Sequence, residues 1–340
     1  MPSVPRPHDI SIPAAAAVAA LGLIAGMVRC DAQEVGGYAG AFLNRAVPAR
    51  SAALAGAFTP FRAGSDALFG NPASLAGLDR RAASFSYSFL PYNQRLGMAG
   101  FGMPAGGAAG IGGSIVYYGL SDVPAYTQDG KRTGTTGSSE WAISAAGALK
   151  IGPGAIGTTI RYLGFTPVGA GLESSTGYAL DLGGMLEFEN TFTDHDWFYA
   201  SATLNNLAGE QKGPHRLATA SARLSGSYLY PLQETDGIPA RVDPTGLPTV
   251  VHAMPEAYVL GIAEIRLAQY DPLPPAVSLA AECGIPGTPV GVRLGWGTRT
   301  SITAGFSVHW PQNLIIDVAG SLGGDIGGAN AGTATITYLF

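Results

Sequence analysis

Between Ser301 and Trp310 every second residue is apolar: Ile302, Ala304, Phe306, Val308 and Trp310 alternate with Ser301, Thr303, Gly305, Ser307 and His309. The same period of two sets Phe85, Tyr87 and Phe89 against Ser84, Ser86 and Ser88. It also sets Tyr178, Leu180, Leu182 and Leu186 against Ala179, Asp181, Gly183 and Glu187. Successive side chains of a strand point to opposite faces, so each run makes a strand with one apolar and one polar side. Many of these runs are longer than the five or six residues usual in a soluble sheet. Runs of about ten residues suit tilted strands that cross a bilayer.

Following the alternation through the chain predicts strands at 84–90, 95–103, 109–119, 139–150, 155–166, 177–188, 197–206, 217–230, 256–269, 275–284, 289–297, 300–310, 312–320 and 331–340. That even number, about fourteen, is what a single-chain bacterial barrel requires. The fold class expected is therefore all-β, a transmembrane antiparallel β-barrel. Composition agrees: charged residues are 13% of the chain, against about 25% for an ordinary soluble domain, so something other than water covers part of the surface. With a formal charge of −5 and no Lys/Arg cluster, a nucleic-acid partner is excluded. Outer-membrane lipid is the partner that the pattern calls for.

The chain opens with Arg6 and His8 before an apolar run from Ala14 to Val28. That run is short for a membrane span and right for a signal peptide, with a cut expected after Ala32. The expected organisation is a signal peptide over 1–32, a segment packed in the lumen over 33–82 and the barrel over 83–340, in the outer membrane of a Gram-negative-type bacterium. After such a cut Cys283 is the sole cysteine, and its strand parity turns it to lipid with Val277, Leu279 and Ala281.

With both ends of the barrel periplasmic, the tight turns 104–108, 152–154 and 285–288 face the periplasm. The longer segments 120–138, 167–176, 207–216 and 321–330 face outside, the usual asymmetry. Pro231 to Pro255 breaks it, as either a periplasmic excursion or an unrecognised hairpin. Aromatics near strand ends (Tyr117, Tyr118, Trp141, Trp197 to Tyr199, Tyr228, Trp296, Trp310 and Tyr338) fit the two membrane interfaces.

A charge on the lipid face costs about 2–4 kcal/mol at mid-membrane, so charges within strands should point inward. Parity places Arg161, Asp181, Arg223, Glu264, Arg266, Glu282, Arg293 and Asp317 there. Equal numbers of acids and bases, with Arg161 beside Asp181 and Glu282 beside Arg293, read as a network tying wall to lumen filling. Nothing points to an enzyme, a metal or a cofactor. No G-x-S-x-G elbow occurs, His195, His215, His252 and His309 are scattered, and Asp194-His195-Asp196 reads as a solvated turn. Gly152 to Gly157 spells G-x-G-x-x-G, but strand follows where a dinucleotide site needs helix.

The stretch from Ala46 to Leu78 has no period of two and is mostly small residues. Ala49 to Phe58 predicts two or three helical turns. Ser65 with Asp66 predicts the start of a second short helix, closed by Gly70 in the left-handed conformation. Asn71 before Pro72 must leave the helical region. Such a segment, slim and short-helical, is a small plug for the barrel. FLNRAVPARSAALAGAF followed by SDALFGNPASLAG resembles the amino-terminal signature of the PorV/PorQ outer-membrane family, within the FadL-like superfamily of outer-membrane transporters. The matched plug positions are Asp66, Asn71, Pro72 and Ala73. The chain departs mildly where the family has a second glycine, carrying Ala55 instead. "DLGG" at Asp181 to Gly184 matches the same branch.

The resemblance implies fourteen strands, a count therefore not independent of the reading above. It implies a carrier or attachment component of type IX protein secretion, with other secretion components and exported cargo as partners. Tyr126, Lys131 and Arg132, with Phe165, would then form an external contact surface. The wider superfamily implies instead uptake of hydrophobic small molecules through a plugged barrel.

Overall fold

The computed structural model describes residues 40–45, 48–58, 65–168, 173–193, 196–207, 211–214, 220–232, 241–242, 248–249, 257–268, 275–310, 313–322 and 331–340. The expected signal peptide, its cut after Ala32, Asp194, His195, His215 and His252 lie outside them. Fourteen antiparallel strands close on themselves. They are β1 (Ala82–Phe89), β2 (Gln94–Pro104), β3 (Ala109–Tyr126), β4 (Arg132–Ile151), β5 (Gly154–Val168), β6 (Ser175–Glu189) and β7 (Trp197–Asn205). The second half is β8 (Ser221–Pro231), β9 (Tyr258–Ala268), β10 (Ala276–Gly284), β11 (Val290–Gly297), β12 (Ser301–His309), β13 (Leu314–Leu322) and β14 (Ala331–Leu339). Each strand pairs with its neighbours in the chain, and β1 closes on β14 from Ala82↔Leu339 to Phe89↔Gly332. No helix among the described residues is long and apolar enough to cross a membrane.

Alternation survives as a two-faced wall. On β1, Ser84, Ser86 and Ser88 are buried inside while Phe85 and Phe89 are exposed outside. Opposite them on β14, Thr337, Thr335 and Thr333 turn inward, and each threonine hydroxyl pairs with the facing serine at 3.3, 2.8 and 2.9 Å. The closing seam thus carries a row of cross-strand hydroxyl bonds besides its backbone ladder. Cys283 is half-buried, on the outward side with the exposed Leu279 and Ala281.

Outward aromatics gather in two bands. Trp141, Tyr162 and Tyr178 stack in sequence, with ring centroids 5.2 and 4.9 Å apart. Phe188 with Phe198 and Tyr338 with Phe340 mark the other band, near the end where the chain enters and leaves the barrel. Three expected belt residues do not belong there. Tyr118, Trp197 and Tyr199 share the inward parity of their strands and pack into the lumen. Runs of consecutive aromatics cannot all face lipid when the backbone alternates.

Two segments differ from expectation. The expected 120–138 loop is mostly strand: β3 and β4 continue as a paired hairpin to Tyr126↔Arg132, with register shifts around Ser121–Asp122. Within 231–255, Arg241–Val242 pairs with Pro248–Thr249 as a separate two-residue ladder, leaving barrel parity intact.

Candidate functional site

The amino-terminal segment runs inside the barrel. Its helical parts are α1 (Ala49–Ala53) and three 3₁₀ turns, Ala41–Asn44, Ser65–Leu68 and Pro72–Gly77. The predicted helix over Ala49–Phe58 stops after one turn, because Ala55 and Gly56 take φ of 55° and 81°. Gly70 does not adopt the predicted left-handed conformation. It is glycine for room: a Cβ there would lie 1.8 Å from the ring of Phe58.

Helices this short leave most of their backbone groups unpaired, and a buried unpaired group is costly. The polar face of the wall supplies the partners. Thr335 Oγ1 accepts from Ala49 N at 2.7 Å, and Thr303 Oγ1 donates to Ala53 O at 2.8 Å and accepts from Ala55 N at 3.1 Å. Ser278 and Ser225 hydroxyls donate to Ala55 O and Phe58 O at 2.9 and 3.1 Å. Asn71 is fully buried. Its Oδ1 accepts from Ala73 N and its Nδ2 donates to Gly184 O, both at 3.0 Å, so it caps the Pro72 turn and ties it to β6. Pro72 starts that turn and Ala73 lies buried against the wall. Asp66 lies in the Ser65–Leu68 turn.

All eight strand charges turn inward. Arg161 Nε donates to Asp181 Oδ2 at 2.7 Å, and Asp181 Oδ1 accepts Asn206 N at 2.8 Å, where β7 ends. Glu282 gathers three donors: Arg50 Nη2 at 2.7 Å, Tyr258 Oη at 2.6 Å and Arg293 Nη2 at 3.3 Å. Arg293 reaches on to Asp317 at 2.7 Å. The cluster sums to zero charge and binds α1 to three wall strands. Arg50 and Tyr258 were not singled out from the sequence: Arg50 sits where no period marks an inward face. Glu264 accepts Phe58 N at 3.0 Å and stands 3.9 Å from Arg223, which is directly opposite Arg266.

One part of the inner wall is apolar. Met98, Val116, Ala142 and Leu163 are paired neighbours on β2 to β5, forming a row across four strands that ends at Gly177 of β6. Leu96 stands above this row and Ala179 below it. Phe42 fills the patch, 3% exposed, stacked on Tyr118 at 6.0 Å and 10°. Phe165, expected in the external contact surface, packs here from the inside. Glu140, directly across from Tyr118, accepts the backbone N–H of Gly40 in a short hydrogen bond. In the row below Val116, Ser114 and Ser144 face one another, each 5% exposed, and neither hydroxyl has a partner among the described residues.

Tyr126, Lys131 and Arg132 stand at the exposed tip of the β3–β4 hairpin, remote from this lumen. At the opposite end Asp196 accepts from the backbone N–H groups of Thr191, Phe192 and Thr193 and from the Tyr228 hydroxyl. Burial opposes its charge, but those donors hold its carboxyl below the usual carboxylate range. It organises the β6–β7 turn. Among the described residues no three His, Cys, Asp or Glu side chains stand together as a metal would need.

The fold is similar along its length to solved barrels. The toluene transporter TodX of Pseudomonas putida superposes with a TM-score of 0.55 at 10% identity, over 91% of this chain and 99% of that one. The toluene transporter TbuX of Ralstonia pickettii gives 0.52 at 13% identity, over 87% and 98%. The monoaromatic hydrocarbon channel CymD gives 0.55 at 9%, over 86% and 97%. No family model matches the sequence, and no curated protein matches it. The shared fold is the FadL-like plugged barrel of outer-membrane transporters. The narrower PorV/PorQ resemblance rests on the motif residues alone.

Proposed function

We propose that this chain is an outer-membrane conduit for hydrophobic small molecules. The observation that carries the reading is the apolar row Met98, Val116, Ala142 and Leu163 inside a lumen otherwise lined by hydroxyls and ion pairs. Burying hydrocarbon there is favourable by about 25 cal/mol per Å², and water offers a hydrocarbon nothing comparable. The toluene and monoaromatic channels that share the fold give the substrate class its first candidates.

A second reading, a carrier or attachment component of type IX secretion, draws on the motif at Asp66 and Asn71 to Ala73. The balanced, closely packed lumen supports it, since a carrier needs no conducting path. Its cargo and partner components would meet the β3–β4 hairpin at Tyr126, Lys131 and Arg132. One pair of assays separates the two. Cells expressing the barrel should take up labelled toluene or a labelled fatty acid faster than cells without it, and deleting 124–134 should leave that gain intact. Exported proteins co-purifying with the wild type but not with the deletion, with no gain in uptake, would overturn the conduit reading in favour of the carrier.

A further inference from the structure

We infer that Phe42 occupies a binding site for a small phenol: its ring stands where the ligand's ring would lie, and Ser114 and Ser144 are the unused partners for the ligand's hydroxyl. The inference rests on the conduit reading and names its substrate class more narrowly.

Three observations converge. A phenylalanine side chain is a single aromatic ring on one methylene, the size of a monosubstituted benzene. It is held by inward side chains of five consecutive wall strands, so the site is a property of the wall and not of the plug. Ser114 and Ser144, in the next row, are paired neighbours, and their buried hydroxyls meet no donor or acceptor among the described residues. A buried polar group without a partner costs about 1–3 kcal/mol, and elsewhere on this wall serine and threonine hydroxyls are used to bind the plug. Phe42 can fill the apolar volume and offers nothing to the two hydroxyls. A phenol of similar size fills both.

The occupant is also built to leave. Phe42 sits on a four-residue 3₁₀ turn, and Gly40 before it is held to the wall by one backbone N–H bond to Glu140. Segment 40–45 makes no bond of the kind that anchors α1 through Arg50 and Glu282. Displacing the ring therefore requires a small local movement at the edge of the plug, with the ion-pair cluster left intact.

The test places 4-fluorophenylalanine at position 42 of the full-length barrel in detergent and follows its fluorine resonance against p-cresol and toluene. The ring signal should move saturably with both, and p-cresol should act at roughly tenfold lower concentration. Replacing both hydroxyls (Ser114→Ala with Ser144→Ala) should erase that preference without changing the response to toluene. Glu140→Ala should lower the half-saturating concentration of either compound several-fold. A resonance unmoved by p-cresol up to its solubility overturns the inference. So does an unchanged preference in the double alanine variant. If cells take up labelled toluene while the ring signal stays fixed, this site is wrong and the conduit reading stands. Saturable displacement of the ring without any uptake would instead keep the site and sink the conduit.

Discussion

At the residue scale the decisive contacts are those between plug backbone and wall. A Cβ on Gly157 would lie 2.5 Å from Ala73 N and from Pro72 C, and one on Gly183 would lie 2.1 Å from Asn71 Oδ1. These glycines let the Pro72 turn rest directly on β5 and β6. Gly157→Ala should therefore push the turn away and lower the midpoint of thermal unfolding in detergent by several degrees, a cost of about 1–3 kcal/mol for overpacking. Gly261→Ala, where nothing lies within 4 Å, should leave the midpoint unchanged. Equal effects of the two would mean that the turn does not touch the wall. The inward charges were legible from parity alone, as was the Arg161–Asp181 neighbourhood. Arg50 was not, because a segment of short helices has no period that says which side chains meet the wall. Ser114 and Ser144 looked like two more polar residues in alternation. Only register shows them facing one another without other partners.

At the element scale local propensity and tertiary demand part company in the plug. Alanine-rich Ala49 to Phe58 favours helix, yet the chain leaves it at Ala55 to reach Thr303, Ser278 and Ser225 in succession. Bonds to the wall outweigh the few bonds that another turn would add. The β3–β4 hairpin was obscured for a different reason. Outside the bilayer neither face must be apolar, so the alternation fades while the strands continue to Tyr126 and Arg132. The β6–β7 turn gives a pH test. Because the folded carboxyl of Asp196 is held below its usual value, its stabilising effect is fully present above about pH 4, the unfolded value. It is lost as pH falls through the lower folded value. Amide exchange at Thr191, Phe192 and Thr193 should therefore stay slow at pH 6 and gain an extra acceleration in strong acid, beyond the intrinsic pH dependence. Asp196→Asn should show weaker protection already at pH 6. Equal protection in variant and wild type would show that the carboxylate does not hold the turn.

At the scale of the whole molecule, the even strand number, closure between first and last strands and the inward turn of every predicted strand charge all follow from one demand. A barrel in lipid must satisfy every backbone group within itself and show hydrocarbon only side chains that tolerate it. That demand made the barrel legible in the sequence. It says nothing about what fills the lumen, which is why the apolar row and its occupant emerge only from the register of neighbouring strands. The filling is close: among the described inward positions Ser86, Thr159, Ser227 and Thr303 are at most 2% exposed, halfway along different strands of the barrel. A wall so covered leaves no water-filled path beside it and admits only what can displace part of the plug. The conductance of single barrels in a planar bilayer tests this most directly. The wild-type chain should pass no resolvable ion current, and a variant lacking residues 40–78 should open in steps like those of a small porin. Porin-sized steps from the wild type, unchanged by that deletion, would contradict the account.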